Sequence, residues 1–284
     1  MRFFVFSTFL LCIASGALAK PLQKRDGVSR DVFDDLLLYY KYASSTYTDC
    51  ASPNGNVMVQ EINEDSTNTQ GFVARDDTKK EIVVAWRGSS AVADFLITDA
   101  SVIRVDYTSP GVTPASGATV HSGFLRSYNS VADQVIALVK TQLDLNPDYA
   151  VVSTGHSLGG SLASLSAVSL KSNFPDTPMR LYTYGQPRTG NQEYANMVNS
   201  MYGDQAFRYV RTTDGVPTAF PMLLGYRHHG VEYWQTSDPA IAATLKQCAP
   251  DGEDPTCSDS KLSDGFTATH LTYFGIYFNT PFCT

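Results

Sequence analysis

Beyond residue 25 the chain has no cluster of lysine or arginine, so nothing in it reads as a basic patch that could follow a nucleic-acid backbone. No Asn-x-Ser/Thr triplet occurs, and N-linked glycosylation is therefore not expected. There is no Cys-x-x-Cys pair, and the five histidines are not spaced as ligands beside the cysteines, which argues against a metal site. No transmembrane segment is read, because the one long apolar run, at the N-terminus, is too short to span a bilayer. Neither a Pro/Ser-rich linker nor an internal repeat divides the remainder, and residues 26–284 read as one large domain.

What is present begins with a secretory pattern. A single arginine, the apolar run Phe3 to Ile13 and the small-residue end Ala17-Leu18-Ala19 give a signal peptide over residues 1–19. Lys20-Pro21-Leu22-Gln23-Lys24-Arg25 follows, and its dibasic end marks a short pro-segment over 20–25. Removing 1–25 takes away four basic and no acidic residues, so the formal charge goes from −7 to −11. An acidic surface of this kind repels phosphate backbones and anionic membranes. Cys12 leaves with the signal, and Cys50, Cys248, Cys257 and Cys283 remain as an even set in a secreted chain, which reads as two disulfides.

Hydrophobic spacing then orders the chain. Val32, Leu36, Tyr39, Tyr40 and Ala43 recur at helical period from Ser29. Strand-like stretches follow at Val57–Ile62, Gly71–Arg75 and Glu81–Arg87, the last a nearly continuous apolar run of the kind buried on both faces. Val131, Val135, Leu138, Val139, Gln142 and Leu143 mark one amphipathic helix between Ser122 and Pro147. Tyr149–Thr154 is a β-branched strand, with helical spacing at Leu158, Leu162 and Leu165 directly after it. Met179–Tyr184 and Ala206–Val210 are two more strands, and the C-terminal third reads as loop-rich. This alternation predicts an α/β fold with a mostly parallel central sheet and helices on its faces.

Between the strand at 149–154 and the helix from 158 stands Gly155-His156-Ser157-Leu158-Gly159. Strand, Gly-x-Ser-x-Gly and helix is the nucleophile elbow: the turn is so tight that residues two before and two after the serine must be small. Ser157 is thereby a nucleophile candidate at the sheet's C-terminal edge, near the positive end of a helix. Serine needs a histidine base held by a carboxylate, and in this fold the order along the chain is Ser, acid, His. Asp214 is the leading acid, because Thr212-Thr213-Asp214-Gly215 forms the turn after a strand; Asp204, Asp238, Asp264 and Glu232 are alternatives. His121 opens a helix and His156 adjoins the serine, so both read as structural. His270 is favoured as base because the apolar run from Tyr273 to Phe278 can anchor its loop, while His228 and His229 stay in competition.

With these residues in place the chain resembles the filamentous-fungal lipases of the Rhizomucor and Thermomyces type, lipase class 3, a family that also includes a feruloyl esterase. The likeness runs over nearly all of residues 29–284, through Trp86-Arg87-Gly88-Ser89, His121-Ser122-Gly123-Phe124, the elbow with Gly160, Tyr184 to Asn191, Asp214-Gly215-Val216-Pro217, Glu232-Tyr233-Trp234 and His270 to Gly275. It implies the α/β-hydrolase fold and a triad of Ser157, Asp214 and His270, with the His228 region as framework. The oxyanion hole it implies is Leu158 together with Ser89. A lid over about residues 90–98 would carry Ala91, Val92, Phe95, Leu96 and Ile97, with Val92, Phe95 and Leu96 on one helical face. The disulfides it implies are Cys50–Cys283 and Cys248–Cys257. Trp86 stands where the family usually has phenylalanine, Phe95 where the lid has tryptophan, and Arg211 where a histidine is more usual; these departures bear on substrate preference.

The expected activity is hydrolysis of acylglycerol esters through an acyl-enzyme, needing no metal or cofactor, by a secreted monomer that meets its lipid at an oil–water interface. The apolar lid favours lipase over feruloyl esterase, and a complete triad argues against a non-catalytic binding module or a peptidase. Intact-mass measurement of the secreted protein is expected to find Asp26 as its first residue; a chain still carrying Lys20 would show that the dibasic site is not cut.

Overall fold

The computed structural model describes residues 27–89, 102–265 and 268–283. The leader, the pro-segment and the lid residues Ala91, Val92, Phe95, Leu96 and Ile97 lie outside the described residues. In chain order the elements are α1 (Arg30–Ser45), β1 (Val57–Glu64), β2 (Thr69–Asp76), β3 (Glu81–Trp86), β4 (Arg104–Asp106), β5 (Thr119–His121), α2 (Ser122–Asn129), α3 (Ala132–Leu145), β6 (Ala150–His156), α4 (Leu158–Asn173), β7 (Met179–Tyr184), α5 (Gln192–Tyr202), β8 (Ala206–Arg211), β9 (Val231–Gln235), β10 (Leu245–Gln247), β11 (Thr272–Tyr273) and β12 (Ile276–Tyr277).

Eight strands form one sheet in the order β1-β2-β3-β6-β7-β8-β9-β10. From β3 to β9 neighbours run parallel, and antiparallel pairs close each side. Every residue of β3 is buried, and its side chains alternate between two layers. Ile82, Val84 and Trp86 join Val151 and Leu181 against α2, α3 and α4. Val83 and Ala85 join Val152, Tyr182 and Tyr184 against Leu36, Tyr39, Tyr40 and Ala43 of α1. Burial on both faces is what the unbroken apolar run requires, at about 1.5–3 kcal/mol for each large side chain removed from water. Helices on both faces of a mostly parallel sheet constitute the α/β-hydrolase arrangement.

Two expectations are corrected. The amphipathic stretch after Ser122 is two helices, because Val131 leaves helical geometry at φ −127° and ψ 1°, although Phe124, Tyr128, Val135 and Val139 still face one core. The C-terminal third also contributes β9 and β10 to the sheet. Strand β9 is wholly buried yet includes Glu232 and Gln235, which pair with Arg208 at 3.2 Å and with the Tyr209 hydroxyl at 2.7 Å. Buried polar partners removed the apolar pattern by which a strand is read.

Cys50–Cys283 and Cys248–Cys257 are both bonded. The first spans 233 residues and holds the C-terminal segment beside the end of α1, where Phe282 N donates to Ser45 Oγ at 2.9 Å. Replacing Cys50 and Cys283 together by serine is expected to lower the unfolding free energy by about 2–5 kcal/mol. Urea titration checks this, and an unchanged midpoint would show that the bond restrains nothing the fold needs.

Candidate active site

Strand β6 and helix α4 are joined by one residue, Ser157, whose φ of 60° and ψ of −129° lie where L-residues seldom go. The glycines on either side permit the turn. A Cβ on Gly155 would lie 2.1 Å from the Gly159 carbonyl oxygen, and one on Gly159 would lie 2.3 Å from the carbonyl oxygen of Trp86 at the end of β3. Contacts that short do not occur, so strand, helix and the neighbouring strand pass this closely only without side chains. The Ser157 N–H donates to the Tyr184 carbonyl at 2.8 Å, fixing the elbow to the end of β7. As the first residue of α4, Leu158 has no intrahelical acceptor for its N–H.

The other candidates come from loops at the same sheet edge. Strand β8 ends at Arg211, and Asp214 follows in a turn closed by its own N–H to the Arg211 carbonyl at 2.9 Å. His270 lies just before the β11–β12 hairpin, in which Tyr273 is fully buried and Phe274 packs 4.4 Å from the Tyr209 ring and 5.8 Å from Tyr40. His270 Nδ1 lies 2.8 Å from Asp214 Oδ2. The same oxygen accepts a short hydrogen bond from the Tyr273 hydroxyl, and Oδ1 accepts the Val216 N–H at 2.9 Å. Both carboxylate oxygens are therefore engaged and the plane of the group is fixed. Gly185, at the end of β7, lies against all three: a Cβ there would fall 2.8 Å from His270 Cε1, 2.9 Å from Asp214 Oδ2 and 2.5 Å from Tyr273 Oη.

With Nδ1 donating to Asp214, the lone pair of His270 is on Nε2. That atom is buried and has no hydrogen-bond partner among the described residues.

The rival residues are engaged elsewhere. Among the described residues the His270–Asp214 contact is the only histidine–carboxylate pair. His121 caps α2 by accepting the Phe124 N–H at 3.3 Å. His228 Nε2 lies 2.9 Å from the Pro217 carbonyl, and His229 Nε2 lies 2.9 Å from Ser164 Oγ. Glu232 pairs with Arg208, Asp238 with Arg211, and Asp204 is exposed at the opposite edge, before β8. Asp264 accepts from the hydroxyls of Thr213 at 3.0 Å and Thr269 at 2.6 Å, so it ties the Asp214 turn to the His270 loop. Arg211 adds a bond from Nη1 to the Thr269 carbonyl at 3.1 Å. Tyr273, Asp264 and Arg211 thus brace the pair; their apolar or merely polar neighbours in sequence gave no sign of it. One group of metal-ligand type exists among the described residues, Glu232 with Cys248 and Cys257, and its two sulfurs are bound to each other.

Comparison with known proteins finds relatives among fungal lipases. The family model described as lipase (class 3) matches residues 83–224. A lipase of Rhizomucor miehei is 39% identical over 220 residues, covering 76% of this chain and 58% of that protein, so the chain spans less than two thirds of this relative. A secreted alkaline triacylglycerol lipase of Penicillium cyclopium is 32% identical over 274 residues, 95% of this chain and 94% of that protein. A solved triacylglycerol lipase whose catalytic centre is described as a serine protease triad superposes with a TM-score of 0.80 at 32% identity, covering 91% of this chain and 99% of that one.

Three buried histidines are held neutral. Burial pushes His156 and His228 well below the ordinary imidazole value and His229 down to about 3, with the nearby Arg208 adding to the effect on the last two. In the unfolded chain each takes up a proton near pH 6.5, whereas the folded protein does not, so acidification favours unfolding. Stability is expected to fall as pH drops through 6.5, by about 1.4 kcal/mol per histidine between pH 7.5 and 5.5. Urea midpoints at the two pH values check it. His229→Gln should lose about a third less of this effect, roughly one proton in three; an equal loss in the variant would refute the assignment.

Proposed function

The chain belongs to the class 3 lipase family, and on that premise we propose that it is a secreted serine esterase that hydrolyses acylglycerol ester bonds. The observation that carries the proposal is the His270–Asp214 pair, with Nε2 of His270 unengaged, at the sheet edge where Ser157 stands on its strained turn. His270 Nε2 takes the Ser157 proton as Oγ attacks the ester carbonyl. The imidazolium so formed is stabilised by Asp214. Negative charge on the carbonyl oxygen is met by the N–H groups of Leu158 and Ser89, each worth about 3–4 kcal/mol in the transition state. The alcohol leaves with the proton from His270, and water, deprotonated by the same nitrogen, releases the fatty acid from Ser157.

The choice of a lipid ester rests on two features. Apolar residues Ala91, Val92, Phe95, Leu96 and Ile97 directly follow the oxyanion residue Ser89, in a lid that would be covered in water and exposed at an oil surface. A second apolar group is exposed on the described surface: Ile103 is 60% and Leu223 is 95% exposed, beside Val102, Met222 and Leu224. The two segments are joined by Arg104 Nη1 to the Gly225 carbonyl at 2.7 Å and by the Tyr226 hydroxyl to the Val102 carbonyl at 3.2 Å. Apolar patches of this kind mark contact with another apolar phase. Secretion is supported by the leader pattern and by the secreted Penicillium relative. No described helix is long and apolar enough to cross a membrane.

Hydrolysis of p-nitrophenyl palmitate, tributyrin, monoolein and methyl ferulate, measured side by side, tests the proposal. The lipid esters are expected to turn over, and Ser157→Ala should reduce their rate by on the order of 10⁵–10⁶-fold and abolish labelling by a fluorophosphonate probe. Turnover of methyl ferulate alone would sink the acylglycerol reading, and unchanged hydrolysis by the alanine variant would sink the nucleophile.

A further inference from the structure

Three segments must keep fixed separations for the proposed reaction: the Gly88–Ser89 turn, the elbow and the His270 loop. Hydrogen bonds join Tyr47 through His156 to His270, and Gly88 packs against the same Tyr47 phenol. We propose that Tyr47 and His156 act as positioning residues that tie the oxyanion turn to the backbone of the base, an inference that rests on the triad reading above.

The geometry is directional. Tyr47 Oη lies 3.0 Å from His156 Nδ1, and His156 Nε2 lies 3.0 Å from the carbonyl oxygen of His270. Gly88 packs directly against the same phenol. A Cβ on Gly88 would fall 2.2 Å from Tyr47 Oη, 2.6 Å from the His156 carbonyl oxygen and 3.0 Å from Ser157 Cβ. The His270 carbonyl can only accept, so Nε2–H donates to it and Nδ1 keeps the lone pair that accepts the Tyr47 hydroxyl proton. A single tautomer of His156 satisfies every member.

The His156 ring also stacks on the His270 ring at 4.6 Å between centroids and 27° between planes. It thus fixes the base from two sides, through its main chain and through its ring, while Asp214 holds Nδ1. Phe278 closes over the relay, 4.7 Å from Tyr47 and 6.2 Å from His156. Fully buried, His156 is held well below its ordinary pKa, so it does not compete with His270 for the Ser157 proton. Tyr47 sits just beyond the end of α1, more than a hundred residues from the elbow in sequence, and makes no contact that the reaction itself needs.

The test uses the full chain with tributyrin, counting active sites by fluorophosphonate labelling and comparing Tyr47→Phe, His156→Leu and His156→Gln with the wild type. Loss of sub-ångström placement at a reacting atom costs up to about 100-fold. Tyr47→Phe should lower kcat per labelled site about 10-fold and His156→Leu about 100-fold, with KM within about 2-fold. Glutamine can accept from Tyr47 and donate to the His270 carbonyl, so His156→Gln should regain at least about 10-fold over His156→Leu. Wild-type kcat per site in Tyr47→Phe and His156→Leu would overturn the relay, as would a glutamine variant no faster than leucine at equal melting temperature. A wild type that hydrolyses tributyrin without labelling at Ser157 would overturn the triad, and the relay with it.

Discussion

Ser157 occupies a backbone conformation that is about 1–3 kcal/mol unfavourable for a residue with a side chain, and the surrounding structure is arranged to hold it there. The strand before it and the helix after it are both buried almost throughout, so neither can rotate to relieve the turn. Helix α4 lies close to the sheet because Gly159, Gly160, Ser161, Ala163, Ser164, Ser166 and Ala167 present small side chains. Two of its buried serine hydroxyls find partners, Ser161 Oγ in the Pro187 carbonyl at 3.4 Å and Ser164 Oγ in the Tyr194 hydroxyl at 2.7 Å. Large side chains are instead placed on β7 and on α1, where Tyr39, Tyr40, Tyr182 and Tyr184 fill the opposite layer. The tight elbow and the tyrosine-rich face are two consequences of one packing requirement.

Asp214 and His270 depend on the elbow less than on each other. Their loops are 56 residues apart in sequence, and ordering them separately would cost entropy that neither repays alone. The shared carboxylate, the Tyr273 hydroxyl, the Asp264 bridge between Thr213 and Thr269, and the Arg211 bond to the Thr269 carbonyl make them one body. The chain then returns to α1 through the C-terminal segment, whose Cys283 is bonded to Cys50. Tyr47, on the turn between α1 and Cys50, is therefore anchored on both sides where it meets Gly88 and His156.

How much of this the sequence carries depends on whether the determinant is local. The elbow is legible because its requirement is steric and falls on residues two positions away; Gly155 and Gly159 stand where the close approach needs them. Strands β3 and β6 are legible because burial on both faces leaves long apolar runs. The acid is half legible: a turn after a strand singles out Asp214 without excluding Asp238 or Asp264. His270 could not be separated from His228 and His229 by spacing, since the difference lies in what each ring faces: Asp214 for the first, the Pro217 carbonyl and Ser164 for the others. Family resemblance filled that gap and supplied the cysteine pairing. Tyr47 and Tyr273 leave no local trace at all, because a tyrosine in the sequence looks the same whether or not its oxygen has a partner in the fold.

Charge is distributed in a way that follows from the same packing. The chain is acidic as a whole, yet besides Asp214 the rings set against His270 are those of His156 and Tyr273, with the rings of Tyr47, Tyr40 and Phe278 packed on His156 behind them. None of these carries charge at neutral pH. The buried ion pair Arg188–Glu253 is formed by other loops, Arg208–Glu232 joins neighbouring strands β8 and β9, and Arg180–Glu81 joins the starts of β3 and β7 at the far edge of the sheet. In a low-dielectric site a charge 4 Å away acts several times more strongly than in water. A second carboxylate beside His270 would hold the imidazolium too tightly to return its proton to the leaving alcohol, and a cation would oppose its formation. One acid within a neutral aromatic surround leaves the base able to do both.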